Sequence, residues 1–276
     1  MKIWLKTAAA LVAAGGILFV GMMGVMGWDF MRLGVTKYTT NTYEIEQPFD
    51  NIVVMSDAAS VVLKLSADDS CRVVCEEATA RLHTVLAENG TLSISVPDKP
   101  WYQYLLLDFK TPHITVYLPK AAYASLAVKG NTGDVQLESG LVIDTVDVSI
   151  ITGNIKMEHL EAETVRLSVT TGEVSLSDVT CHSLDTDGTK GGISLTDTVA
   201  AAYMRISRTT GWVWFDGCDA ASLSVKVTTG SVRGSLLTEK VFSAHATTGN
   251  VSVPDTKSGG TCEITTTTGN IEMWLQ

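Results

Sequence analysis

Alternating apolar and polar residues repeat along the second half of the chain with a period of 19–20 residues. Most units place apolar, mainly aliphatic residues seven and five positions before a glycine, and again two and four positions after it. Alternation with period 2 predicts β-strands, and this half shows no sustained 3.6-residue helical period. The glycines that mark the eight units are Gly133, Gly153, Gly172, Gly191, Gly211, Gly230, Gly249 and Gly269.

The TTG-like motif around each glycine predicts a corner. Apolar residues occupy odd offsets before the glycine and even offsets after it, and a straight strand with this change would turn its buried set outward. The chain must therefore bend there, where glycine tolerates the required backbone angles. A second corner is expected near seven positions after the glycine. Repeats of this length bury their apolar face by stacking on neighbours. The pattern predicts an all-β, parallel β-solenoid over residues 126–276, and crossover handedness favours a right-handed one.

Residues 44–125 contain strand-like runs, separated by turn signals and by one longer insertion, KPWYQYLLLDFK. These runs predict irregular first coils or a β cap at one end of the stack. At the other end only three residues follow Met273. The last coil in the sequence is therefore expected to be an open edge, which is either harmlessly short and twisted or in contact with a partner. Self-association through this C-terminal coil is one form of that contact.

An uncharged stretch runs from Thr7 to Trp28, preceded by Lys2 and Lys6. About 20 apolar residues in a helix cross a bilayer, so residues 7–28 are predicted to be a transmembrane signal anchor. The positive-inside rule places residues 1–6 in the cytoplasm, and the linker 29–43 and the β domain outside. A cleaved signal peptide is the competing interpretation. It is disfavoured because the apolar run is long and no small-x-small site follows at the usual distance.

The charge and the cysteine content limit the classes of partner and cofactor that can be expected. Without Lys2 and Lys6 the chain has 18 basic and 30 acidic residues, a net charge of −12. This balance argues against nucleic acid and anionic lipid as partners. The five cysteines form no even disulfide framework. Cys71 and Cys75 would lie about 13 Å apart along a strand, too far to bridge. No histidine stands at zinc-finger spacing, so buried free thiols, with no metal and no cofactor, are expected.

An enzymatic site finds little support. Four positions before the glycine, consecutive units carry Lys226 and His245, with no carboxylate beside them in that column. Glycoside hydrolysis needs such carboxylates, so no catalytic residue is assigned and a non-enzymatic protein is favoured. A carbohydrate-active β-helix enzyme acting on envelope polysaccharide, or a self-assembling envelope scaffold, remains the alternative.

The segment TTGWVWFDG departs from the other units at two polar positions. Trp212 and Trp214 should face outward, with Arg233 beside Trp214 on the next coil. Exposed paired aromatics suit a cell-wall glycan or an envelope protein. Alternatively, a local shift of register buries both indoles, as Arg208 hints, because it stands where other units carry valine. Both interpretations stay open at this point.

Several motifs resemble a known family. They are FDNIVV at 49–54, GTLSISV at 90–96, ITVYLP at 114–119 and the eight glycine repeats. Together they resemble the bacterial "putative adhesin" family, which includes proteins like the G component of the Lia cell-envelope stress locus, and the N-terminal lead-in is similar to Firmicutes members. The resemblance implies a membrane-tethered β-solenoid in the cell envelope, with a role in adhesion or stress sensing. It supplies no catalytic residues.

Overall fold

A computed structural model describes residues 2–25, 27–28, 37–97, 111–138 and 140–276. Most of the predicted linker 29–43 and the whole KPWYQYLLLDFK insertion lie outside these ranges. The described residues form one helix, α1 (Lys2–Val25), and nineteen strands. The strands are β1 Tyr38–Ile45, β2 Asn51–Ser56, β3 Ser60–Leu65, β4 Cys71–Ala78, β5 Thr84–Glu88, β6 Thr91–Ser95, β7 His113–Leu118, β8 Ala122–Thr132, β9 Val135–Leu137, β10 Val142–Thr152, β11 Ile155–Thr171, β12 Val174–Lys190, β13 Ile193–Thr210, β14 Val213–Thr229, β15 Val232–Leu236, β16 Lys240–Thr248, β17 Val251–Ser252, β18 Gly260–Thr268 and β19 Ile271–Leu275.

Helix α1 contains the segment Lys6–Val25, which has a mean hydropathy of 2.2. Its 20 residues are enough to cross a bilayer. A membrane anchor and a signal sequence share this property.

Strands β8 to β14 form successive parallel coils, which confirms the β-solenoid. Strand β11 pairs with β12 and β12 with β13, each residue facing the one 19 or 20 positions further along. The second corner lies six positions after the repeat glycine. His159, Asp178, Asp197 and Gly217 adopt positive φ there, between 45° and 63°. The corner is thus one position earlier than the sequence pattern predicts.

The repeat glycines are required by close stacking of the corners. Gly172 has φ +149°, and a Cβ atom on it would lie 1.7 Å from the carbonyl oxygen of Gly153 on the neighbouring coil. Its amide donates to the Lys190 carbonyl oxygen of the next coil at 2.9 Å. A side chain at this corner would therefore separate coils that hydrogen-bond to one another.

The predicted apolar columns form one continuous core. Side chains two positions after the glycine are buried in seven of the eight coils, and those seven positions before it are equally enclosed in most coils. Val251 is the exception in the first column, with 43% exposure. Its exposure follows from the order of the last coils.

The last coils do not stack in sequence order. The second half of β14 pairs with β18, and β18 pairs on its other side with β16. In the same way β15 pairs with β19, and β19 with β17. The coil of Gly269 therefore lies between those of Gly230 and Gly249. The prediction that the last coil in the sequence is the open edge is wrong, and with it the premise for self-association through that coil. The edge belongs to β16 and β17.

The strands at the N-terminal end of the stack are also paired out of sequence order. Strand β2 lies between β6 and β8, and β3 lies between β7 and β9, all in parallel. Antiparallel strands then complete this end. Strand β4 pairs with β7 and β1, and β5 pairs with β6. The region is thus a mixture of parallel coil layers and antiparallel covering strands.

Candidate functional site

Trp212 and Trp214 face outward from a coil that keeps its register. Val213 lies opposite Ile193 and Trp214 opposite Ser194 in the β13–β14 pair. Val213 and Phe215 are buried, whereas Trp212 is 45% and Trp214 38% exposed. The alternative of a shifted register that hides both indoles is therefore wrong. The register shifts of these strands occur elsewhere, between Ala200 and Tyr203 and after Phe215.

Glycine on the preceding coil makes room for the first indole. A Cβ atom at Gly192 would lie 2.2 Å from the ring of Trp212. The indole therefore occupies the space next to the Gly192 backbone, and any larger residue there would displace it. The two adjacent coils are thus complementary at this face: one carries the indole ring, and the other has a glycine that leaves space for it.

A third tryptophan joins this surface from the end of the chain. The ring centroid of Trp274 lies 6.0 Å from that of Trp214, with an interplanar angle of 69°. Edge-to-face pairs of this kind stabilise each other beyond simple burial. Trp274 remains 39% exposed. Sequence reasoning missed it because sequence order places its coil three layers from Trp214, whereas the inserted coil is two layers away. Its outward offset, five after the glycine, was the available signal.

An ion pair borders the aromatic rings. Arg233 lies opposite Trp214 in the β14–β15 pair, and its Nη2 donates to Oε2 of Glu272 on β19. Both side chains are about half exposed. Arg233 thus lies between Trp214 on one neighbouring coil and Glu272 on the other. We call the surface formed by Trp212, Trp214, Trp274, Arg233 and Glu272 the aromatic face.

Trp212 and the preceding Gly192 stand in a gap in a column of stabilising polar side chains. One position after the glycine, side-chain oxygens accept backbone N–H groups of the adjacent coil. Asp134 accepts from the Asn154 amide at 2.7 Å, and Asn154 accepts from the Glu173 amide at 3.0 Å. The column resumes where Ser231 accepts from Asn270. An indole accepts no such bond, so Trp212 gives up an interaction worth about 1 kcal/mol.

Residues 49–276 match the family model described as Toastrack DUF4097. The chain belongs to this family. The match confirms the resemblance at the level of the family and its β-repeat fold. Similarity to the Lia component and to Firmicutes members stays a prediction. The search of curated proteins finds no match.

Several crystal structures share the Toastrack fold with this chain. A "putative adhesin" from Bacteroides fragilis NCTC 9343 is 18% identical, over 86% of this chain and 97% of that one, with a TM-score of 0.60. A "putative adhesin" from Parabacteroides distasonis ATCC 8503 is 13% identical, over 87% and 98%, with a TM-score of 0.51. A "putative lipid binding protein" from the same species is 12% identical, over 85% and 96%, with a TM-score of 0.54. At these identities the similarity shows the fold alone.

Arg208 is buried inside the Toastrack stack without distorting it. It is 2% exposed, and its Nη1 donates to the Val169 carbonyl oxygen at 3.1 Å across Gly188. A Cβ atom at Gly188 would collide with the guanidinium, so this glycine provides the space. Burial lowers the pKa of Arg208, and Asp187 acts in the opposite direction. Residue Arg208 therefore marks a local substitution in the core and no change of register.

The basic pair considered for an enzymatic site is separated. Thr265 of β18 lies between Lys226 of β14 and His245 of β16. The two basic residues are therefore two coils apart, since the inserted coil lies between them. Their apparent adjacency was a consequence of assuming sequence order.

A buried polar cluster lies at the N-terminal end of the Toastrack stack. Cys75 and Glu77 point inward from β4, and His83 reaches them from the residue before β5. The His83 Nδ1 and Glu77 Oε2 atoms are 2.6 Å apart. Burial, reinforced by the Glu77 charge, raises the pKa of the Cys75 thiol to about 12. All five cysteines are free and buried, yet only this one, among the described residues, sits beside a carboxylate and an imidazole suited to a metal.

Proposed function

We propose that this chain is a membrane-anchored, non-enzymatic binding module of the cell envelope, and that its aromatic face binds an envelope glycan. The observation that carries the proposal is the convergence of three exposed tryptophans from two coils. Indole rings offer large apolar surfaces with one polar N–H group. A sugar ring matches that character, because its C–H face is apolar and its edges carry hydroxyl groups.

The stack supplies a rigid platform for such binding. Trp212 and Trp214 start from consecutive outward positions around a buried valine, and Trp274 contacts Trp214 edge to face. The rings therefore keep their spacing without a ligand, which lowers the entropic cost of binding. The Arg233–Glu272 ion pair offers donors and acceptors to hydroxyl groups at the edge of the rings.

Helix α1 would tether this platform. Lys2 and Lys6 precede the apolar segment, so the positive-inside rule favours a cytoplasmic N-terminus and an extracytoplasmic stack. We propose that the helix is an uncleaved anchor. The names of the structural neighbours, adhesin and lipid-binding protein, agree with a binding role. The net charge of −12 outside the anchor disfavours anionic lipid surfaces as the ligand.

Binding by the full chain tests this proposal. Detergent-solubilised protein is mixed with purified cell-wall glycan, and intrinsic fluorescence and co-sedimentation are measured. Changing Trp212, Trp214 and Trp274 together to alanine should weaken binding at least about tenfold. Trp28→Ala is the matched control, because Trp28 is exposed and close to the helix.

Three results would contradict the proposal. Unchanged binding by the triple variant excludes the aromatic face, and binding to neutral lipid vesicles without glycan binding identifies another ligand class. Release of shortened glycan products by the wild-type protein would show an enzyme.

A further inference from the structure

We propose that Cys75, Glu77 and His83 form a site for one zinc-type divalent cation at the N-terminal end of the stack. The thiol, carboxylate and imidazole ligand atoms all lie within 4.8 Å of one another. Cys75 and Glu77 are fully buried and His83 is 6% exposed. The site is separate from the aromatic face, so it neither depends on nor supports the proposed glycan binding.

The fold brings the three side chains together from two elements. Cys75 and Glu77 are two residues apart on β4, so both point to the buried side of the same strand. His83 follows the turn after β4 and immediately precedes β5. Its backbone amide donates to Oε2 of Glu77, the same oxygen that its ring nitrogen approaches. The turn is thus tied to the strand at the cluster itself.

The donor set suits zinc. Zinc binds sulfur at about 2.3 Å and nitrogen or oxygen at about 2.0–2.2 Å, and three protein ligands leave a fourth position for water or another ligand. Ligand atoms in such a tetrahedron lie about 3.2–3.8 Å apart. The 2.6 Å contact between His83 and Glu77 is a hydrogen-bond distance. An entering cation would separate these two atoms by about 1 Å.

Neighbouring polar groups hold the carboxylate in place. Asn41 Nδ2 donates to Glu77 Oε1 at 2.7 Å, and the Tyr43 hydroxyl lies 3.4 Å from the same oxygen. The hydroxyl also donates to the His83 carbonyl oxygen at 3.3 Å. Groups of this kind orient the ligands of metal sites and tune their affinity. They leave Oε2 of Glu77 directed toward His83, where an entering cation would replace the contact with the ring nitrogen.

His83 supplies the charge compensation for the buried Glu77 carboxylate. Among the described residues, no lysine or arginine pairs with Glu77, so His83 is its one ionisable cationic partner. A buried carboxylate requires compensation. The Cys75 thiol makes no hydrogen bond within the described parts of the chain, whereas the Cys218 thiol lies 3.3 Å from a carbonyl oxygen. A hydrogen-bonded Glu77–His83 pair alone would not need a thiol beside it.

Cobalt titration tests the proposal directly. Untagged full chain in detergent is treated with chelator, reduced, and titrated with Co²⁺ and then Zn²⁺. We expect one equivalent of Co²⁺ to produce a thiolate-to-cobalt charge-transfer band and the visible spectrum of tetrahedral cobalt, both abolished by Zn²⁺. Cys75→Ser should remove the charge-transfer band and weaken Zn²⁺ binding at least about tenfold. The matched control is Cys71→Ser, which changes a buried thiol on the same strand and face.

The wild-type protein alone can overturn the proposal. Absence of saturable binding, or binding without a charge-transfer band, excludes the thiolate site even if Cys75→Ser fails to fold. Equal loss of the band in Cys71→Ser and in Cys75→Ser would also exclude it. His83→Gln provides an independent variant, in which the tetrahedral cobalt spectrum should disappear while the circular dichroism spectrum is retained.

Discussion

The two ends of the stack differ in how they protect the outermost coil layer from solvent and from further strand pairing. At the N-terminal end, antiparallel strands β1, β4 and β5 cover the outermost coil layer, and Ile94 and Ile114 in that layer are fully buried. At the C-terminal end, the outermost layer is β16 and β17, and its Val251, which stands in an inward column, is 43% exposed. Among the described residues, one end is closed by additional strands, and the other is left as an edge.

The difference shows how an open edge can be tolerated. Strand β17 has only two residues, and short edge strands offer little to a further strand, although β16 in the same layer has nine. Ala244 and Ala246 stand in columns that carry larger residues in most inner coils. The hydroxyl of Thr256, in the segment returning from β17 to β18, also donates to the Lys240 carbonyl oxygen. The C-terminal end thus has small apolar side chains and a short strand at its edge, whereas the N-terminal end covers its outermost layer with additional strands.

The most decisive test of this comparison is to cross-link the C-terminal coils, because the cross-links report the order in which the coils stack. Cysteines replacing Lys226 and Thr265 should form a disulfide nearly completely, because these residues are direct partners in β14 and β18. Adjacent strands are about 4.8 Å apart, within the range that a disulfide spans. Cysteines replacing Lys226 and His245 would be two strands apart and should remain unlinked. Electrophoresis of the oxidised proteins distinguishes these results, and the opposite pattern would restore sequence order.

Core truncations on the inserted and edge coils should differ in size. Ile264 on β18 is fully buried between two coils. Ile264→Ala should lower the free energy of unfolding by about 2–5 kcal/mol. Val251→Ala on the edge coil should lower it by roughly 0.5 kcal/mol or less. Urea denaturation followed by circular dichroism measures both, and similar losses would show that the two coils are equally enclosed.

A smaller effect on the free energy of unfolding is expected at alkaline pH. Burial raises the pKa of the Cys262 thiol on β18 to about 12, from an ordinary value of 9.0. Because the folded-state pKa lies above the unfolded one, this contribution to stability is complete below pH 9 and falls as pH rises toward 12.

At pH 10 the Cys262 effect amounts to about 1.4 kcal/mol. Cys262→Ala should therefore show a shallower loss of stability between pH 8 and pH 10 than the wild-type protein. Parallel slopes would show that the Cys262 thiol ionises equally easily in both states. Cys71 gives the matched measurement at the N-terminal end, where burial raises its pKa to about 11.

The regular part of the fold could be predicted because the sequence signals for its corners and core lie within each repeat. The change of parity around Gly172 identifies a corner, and the columns through Val174 and Leu176 identify the core. Coil order could not be predicted in this way. Each coil presents the same columns to either neighbour, so a spacing of 19–20 residues fits both possible orders. The choice depends on the paths of residues 237–239 and 253–259, which carry no periodic signal.

The aromatic face and the polar cluster were predictable to different degrees. Trp212 and Trp214 could be placed from their offsets alone, but finding Trp274 required the coil order. Glu77 and Cys75 share one face by strand alternation, which the sequence displays. His83 joins them through an irregular turn, so its approach depends on tertiary structure.

The inserted C-terminal coil constrains how the domain is made. A repeat protein whose coils follow one another in space can complete each layer as it emerges from the ribosome or the translocation channel. Here the layer between Gly230 and Gly249 is filled by residues 260–275, which follow both neighbouring coils in the sequence. This layer can form only after both neighbouring coils have been synthesised, so a chain truncated before Gly260 would lack an internal layer. The C-terminal coils of this domain therefore cannot assemble simply in sequence order.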